Sequence, residues 1–177
     1  MELAEKIRGT IRDIADYPRP GIVFKDITPL LGDPGLFREV SDALVAQYKP
    51  LNLDAIAAVE ARGFIFGSIM ANELGCRFIP VRKAGKLPYR TRSVSYDLEY
   101  GTATIEMHED AVKPGWRVLV HDDVLATGGT AAAAGEMIRA FNAELIGFSF
   151  LINLGFLPGE SVLKSRFGLD PQYLAAY

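Results

Sequence analysis

The stretch Asp54-Ala-Ile-Ala-Ala-Val59 constrains the fold more than any other part of the sequence, because its run of apolar residues leaves no face for water. Such a run suits a strand covered on both sides, as in a mostly parallel sheet. Gly63 to Leu74 then reads as a helix stopped by Gly75, and Arg77 to Val81 as the next strand, so a β-α-β unit closes within about 30 residues. The pattern returns downstream. Val118 to Val120 predicts a buried strand, Gly129 to Asn142 a helix and Glu144 to Leu154 another strand. Alternating strands and helices predict an α/β fold with a mostly parallel central sheet flanked by helices.

The flanks are less regular. Leu3, Ile7, Ile11 and Ile14 recur at helical spacing and predict an amphipathic first helix, ended by Tyr17-Pro18-Arg19-Pro20-Gly21. Ile22 to Phe24 suits a short strand or extended segment. Asp33-Pro34 has the form of an N-cap followed by proline at the first helical position, opening a helix to about Tyr48. Ser93 to Tyr100 and Thr102 to His108 are β-prone runs around Gly101, which predicts a hairpin or a long excursion. A short helix is expected around Ser161 to Phe167, and the residues after it carry no clear pattern. With 177 residues, 49% of them hydrophobic, and no linker or repeat, one domain spanning 1–177 is expected.

The net charge of −3 gives no general attraction to nucleic acid, so an anionic ligand must be met by local clusters of Arg and Lys. One cysteine, Cys76, cannot form an internal disulfide, and with two histidines it cannot assemble a His/Cys zinc site. The N-terminal residues lack an apolar signal core. Leu145 to Leu157, the most apolar stretch, is broken by Ser149 and Asn153 and is shorter than the roughly 20 residues a membrane span needs. These features predict a cytoplasmic protein without a membrane or nucleic-acid partner.

In Val118-Leu-Val-His-Asp-Asp-Val-Leu-Ala-Thr-Gly-Gly-Thr130 an apolar strand runs into two carboxylates and then a glycine turn that starts an Ala-rich helix. Gly128 and Gly129 let backbone approach a ligand, and the free N–H groups of a helix start suit a phosphate. Thr127 and Thr130 add hydroxyl donors. Asp122 and Asp123 can accept from sugar hydroxyls and favour a positively charged sugar transition state. As adjacent strand residues they point to opposite faces and need not share one role. Each feature alone also suits a solvated acidic pair beside a turn. Arg82-Lys83-Ala84-Gly85-Lys86 and Glu60-Ala61-Arg62-Gly63 supply cations just past predicted strands, at the same sheet edge as Asp122, although either could be plain surface.

These thirteen residues from Val118 resemble the signature of the phosphoribosyltransferase family, which binds 5-phosphoribosyl-1-pyrophosphate (PRPP) with Mg²⁺. The resemblance implies the type I phosphoribosyltransferase fold, with Ala126, Thr127, Gly128, Gly129 and Thr130 on the 5-phosphate and Asp122 and Asp123 on the ribose. His121 departs from the small apolar residue usual there, and a structural role in strand packing is expected of it. Ala61-Arg-Gly-Phe-Ile-Phe-Gly67 and Arg82-Lys-Ala-Gly-Lys-Leu-Pro88 are similar to segments of the adenine phosphoribosyltransferases. That similarity implies pyrophosphate contacts from Arg62, Arg82, Lys83 and Lys86, and a turn near Ala61 that in relatives commonly holds a non-proline cis peptide.

Ser95-Tyr-Asp-Leu-Glu-Tyr-Gly101 resembles the subgroup's mobile flap, which implies a flexible β-hairpin loop at about 83–107 and Glu99 as the catalytic proton shuttle. Tyr17 to Leu31 resembles its base-binding hood, implying that residues of about 1–35 form a small N-terminal hood. There Phe24 would stack on adenine and the backbone of Val23 and Lys25 would read its edge. Many relatives carry Arg where Lys25 stands, so no guanidinium role transfers. The resemblance implies transfer of phosphoribose from PRPP to adenine, giving AMP and pyrophosphate. It also implies Mg²⁺ held mainly by PRPP and water, with no direct protein ligand assigned, and a homodimer. A PRPP-binding regulator and an enzyme for another purine base are the alternatives. The first lacks an added DNA-binding domain, and the hood argues against the second.

Overall fold

The computed structural model describes residues 2–97 and 101–177. The chain opens with helix α1 (Leu3–Thr10), a two-stranded sheet of β1 (Arg12–Ala15) and β2 (Val23–Asp26), a short α2 (Thr28–Leu31) and the long α3 (Pro34–Tyr48). It continues through β3 (Ala55–Val59), α4 (Gly63–Leu74), β4 (Arg77–Lys83), β5 (Thr91–Asp97) and β6 (Thr102–His108). The remainder comprises β7 (Arg117–Leu125), α5 (Gly129–Ala140), β8 (Glu144–Asn153), α6 (Gly159–Phe167) and β9 (Gln172–Ala176). The seven-stranded sheet has the order β5-β6-β4-β3-β7-β8-β9. From β4 to β9 neighbouring strands are parallel, and the β5–β6 hairpin joins antiparallel at the β4 edge.

β3 is buried at all five of its positions, as its apolar run requires. Its side chains alternate between two cores. Ala55, Ala57 and Val59 join Val118, Val120, Phe148 and Phe150 beneath α5 and α6, whereas Ile56 and Leu119 join Ile7, Val40, Leu44, Phe66 and Met70 beneath α1, α3 and α4. Asp33 caps α3 by accepting from the amides of Gly35 and Leu36 at 2.9 and 3.0 Å, with Pro34 beginning the helix. The parallel register carries the ends of β3, β4, β7 and β8 to one edge, where open α/β sheets place their ligands.

Several expected boundaries move. The first helix stops at Thr10, and Ile14 lies in β1 opposite Phe24, so the helical spacing held only as far as the buried Ile7 and Ile11. Beyond them the chain gains a ladder with β2, reinforced by Arg12 donating to Asp26 at 2.6 Å, and β-branched Ile is at ease there. β7 runs to Leu125 and therefore contains the acidic pair. α5 ends at Ala140, before the left-handed Asn142. The tail without a pattern forms β9, which finds its partner in β8.

Candidate active site

A cavity of about 570 Å³ opens at the strand-end edge, lined by Val23, Phe24 and Lys25 of β2, by Glu60 to Arg62 after β3, and by Asp122 and Asp123 of β7. Ala126, Thr127, Leu154, Phe156 and Leu157 also line it. A smaller hollow of about 70 Å³ adjoins it, formed by Asp122 and the turn from Ala126 to Thr130. Only the first of the two acids therefore faces both spaces.

The turn is shaped by its glycines. Gly128 has φ +82°, and a Cβ there would lie 3.1 Å from Gly159 Cα, so both backbone conformation and space demand glycine. α5 begins at the next residue, leaving its first N–H groups without carbonyls of their own helix. The Thr130 hydroxyl lies 2.9 Å from the Tyr96 hydroxyl of β5, which ties the hairpin to the turn.

Burial, with the adjacent Asp123 charge, holds the Asp122 carboxyl well above its ordinary range. Asp123 is raised by burial too, against the opposing pull of Arg62. Arg62 Nε lies 2.8 Å from Asp123 Oδ2, yet that oxygen accepts no aligned hydrogen bond. The same guanidinium lies 4.7 Å over the Phe24 ring. Arg62 thus links the acidic pair to β2. Gly63 permits the approach, since a Cβ there would meet Asp122 Oδ1 at 3.0 Å. The Glu60–Ala61 peptide is cis.

The other expected cations stand apart from the cavity lining. Glu60 accepts from Arg82 Nε at 2.9 Å and from the Lys83 amide at 2.6 Å, and Arg82 also donates to the Lys86 carbonyl at 3.1 Å. Burial would raise Glu60, but the Lys83 amide and the Arg82 guanidinium outweigh it and hold the carboxyl low. Lys25 lines the cavity while its ammonium sits 2.7 Å from Asp13 Oδ1 and 3.9 Å from the centre of the Tyr177 ring. Glu99 lies outside the described residues. Among the described residues no three His, Cys, Asp or Glu side chains gather as a metal site. His121 is fully buried with Nδ1 3.0 Å from Ser149 Oγ, and burial lowers it to about 4, the behaviour of a neutral structural histidine.

Sequence reasoning passed over Glu60 and the wall of Leu154, Phe156 and Leu157. Their position just past β3 and β8, on the ligand-binding edge, was a usable signal. Tyr96 and Tyr177 had none, because their partners are remote in sequence.

Residues 34–164 match the family of the phosphoribosyl transferase domain. The chain is 59% identical over 164 residues to the adenine phosphoribosyltransferase of Acidothermus cellulolyticus, covering 93% of each. The crystal structure of adenine phosphoribosyltransferase from Rhodothermus marinus is similar at TM-score 0.93 and 45% identity, covering 99% of this chain and 98% of that one. That of the Saccharomyces cerevisiae enzyme, complexed with adenine and an imino-altritol bisphosphate, reaches TM-score 0.89 at 36% identity, covering 97% and 98%.

Proposed function

This chain belongs to the phosphoribosyltransferase family, and from that premise we propose how its residues divide the transfer of a 5-phosphoribosyl group from PRPP to adenine, giving AMP and pyrophosphate. One observation carries the reading: a single cavity joins the hood strand, the acidic pair and the start of the glycine turn. Its 570 Å³ is in the range of small-molecule sites.

The 5-phosphate sits in the turn from Ala126 to Thr130, on amides of Gly128, Gly129 and Thr130 and on the hydroxyls of Thr127 and Thr130. Asp122 and Asp123 accept from the ribose hydroxyls. Arg62 exchanges Asp123 for pyrophosphate oxygens, and Arg82, Lys83 and Lys86 supply positive charge behind Glu60. Phe24 stacks on adenine, whose edge is read by the backbone of Val23 and Lys25.

As the bond from C1 to pyrophosphate breaks, positive charge grows on the sugar and the two carboxylates stabilise it. Adenine N9 attacks C1, and Glu99 moves the proton that adenine exchanges between N7 and N9. Closure of the 83 to 101 segment excludes water from the donor. Mg²⁺ carried mainly by PRPP and water would supply positive charge against the pyrophosphate, beside the carboxylates of Asp122 and Asp123.

The hood, the loop and the sheet act as parts of one catalytic unit. A homodimer is supported by the partly exposed Phe64, Ile65 and Ile69 of α4, beside Phe78, which is 36% exposed and meets Phe64 at 5.5 Å between ring centres. No helix among the described residues is long and apolar enough to cross a membrane, and the free Cys76 thiol suits the cytoplasm.

Assay with PRPP, Mg²⁺ and each purine base tests the reading, with AMP from adenine as the expected product. Release of pyrophosphate with guanine alone overturns the base assignment. Glu99→Leu is expected to lower kcat by on the order of 10²-fold. An unchanged kcat removes its role.

A further inference from the structure

The geometry points to Tyr177 as a positioning residue that fixes the spacing between the two walls of the base end of the cavity. The inference rests on placing adenine between Phe24 and the segment after β8. Tyr177 does not line the cavity, yet it holds both of those walls.

Its backbone holds one wall. The Tyr177 amide donates to the Asn153 carbonyl at 3.0 Å, and its carbonyl accepts from Gly155 at 3.0 Å. These two bonds extend the β8–β9 ladder to the start of the wall formed by Leu154, Phe156 and Leu157.

Its side chain holds the other. The ring face meets Lys25 Nζ at 3.9 Å, and the hydroxyl donates to the Arg8 carbonyl at 3.3 Å, just before β1. Lys25 has a side chain only 10% exposed, and its ammonium meets both Asp13 and the ring. β1 and β2 make a ribbon of four residues each, and such a ribbon has little stability of its own. What it docks against therefore decides where Val23, Phe24 and Lys25 stand. Phe24 is also touched by Arg62, a contact that donor binding would break, whereas the Tyr177 contact is independent of the donor.

Tyr177→Leu keeps apolar bulk and the backbone bonds but removes the ring face, and Tyr177→Phe keeps the face. Steady-state kinetics with adenine and PRPP varied separately provide the test, with Phe24→Ala as the control on base placement. For Tyr177→Leu the KM for adenine should rise about three- to tenfold, inside the roughly two- to thirtyfold range a cation–π contact spans, with kcat and the KM for PRPP within about twofold. Tyr177→Phe should stay within about twofold on every constant, and Phe24→Ala should raise the adenine KM. A wild-type adenine KM in Tyr177→Leu, with Phe24→Ala impaired, overturns the role of Tyr177 alone. A parallel rise of both KM values overturns it also, because that marks general loosening. If neither variant moves the adenine KM, the base placement fails and the inference falls with it.

Discussion

The end of the site proposed for the phosphate is lined almost wholly by one segment, Asp122 to Ala131, with Phe150 of β8, whereas the end proposed for the base brings β2 together with residues that follow β8. At the first end the chain's local conformation is the site: a strand stops, a glycine turn exposes amides, a helix starts. At the second, the side chains of β2 are held by residues remote in sequence. Lys25 needs Asp13 and Tyr177, and Phe24 meets Tyr17 edge-on at 5.2 Å between ring centres as well as Arg62. A locally encoded site should break on single backbone substitutions, and an assembled one should loosen by degrees.

Gly128→Val gives the largest expected effect. It forces a β-branched residue to φ +82° and drives Cβ against Gly159, 3.1 Å away. The turn must shift, and a displacement of about 1 Å costs on the order of 10²-fold in turnover. Melting should fall by several degrees, about 2–4 °C for each kcal/mol lost in a chain of this size. A Gly128→Val protein with the wild-type KM for PRPP would contradict the phosphate assignment. Asp122→Ala should come next, raising the KM for PRPP about tenfold or more, since bonds to charged groups are worth roughly 1.5–3 kcal/mol. The KM for adenine should change less. An equal rise in both would mean that the acids do not divide the cavity as proposed.

The same contrast explains what the sequence makes legible. β3, α4, β8 and the Asp33 cap follow from local pattern, because five apolar residues in a row or an Asp-Pro pair have few alternatives. The acidic pair and glycine turn are equally local, and the structure gathers the pair and the start of the turn with Val23, Phe24, Lys25 and Arg62 at one cavity, while the rest of the turn lines the adjoining hollow. Ile14 misled because helical spacing and a two-stranded ladder compete over the same residue, and pairing with β2 won. β9 was invisible because an edge strand is specified by its neighbour, and with it went Tyr177, whose ring meets Lys25 from across the chain. Arg82, Lys83 and Lys86 show the opposite case. Their charge density was plain, but Glu60 holds Arg82 and the Lys83 amide beside the cavity, outside its lining.

The two ends should also respond to acid with opposite signs. In the hood, the Thr28 hydroxyl, the Arg12 guanidinium and the Thr28 amide hold Asp26 at about 2, below its ordinary 3.8. A lowered carboxyl stabilises the fold above about pH 4 and loses that contribution as pH falls toward 2. Asp122 and Asp123 are raised, chiefly by burial, so the folded state holds their protons more tightly than the unfolded chain. Their contribution is full below the ordinary carboxylate range and is lost as pH rises through their folded values. Acidifying the ligand-free protein should therefore weaken the hood while relieving the acidic pair. Asp26→Asn should flatten the fall in stability between about pH 4 and about pH 2, read from denaturant midpoints along a pH series. Asp122→Asn should leave that fall in place and remove part of the penalty at neutral pH. This is the smallest effect expected, because the Asp26 hydrogen bonds survive partly in Asn. If Asp26→Asn keeps the wild-type acid limb, the hood is not held by that carboxylate, and its attachment falls to Lys25 and Tyr177.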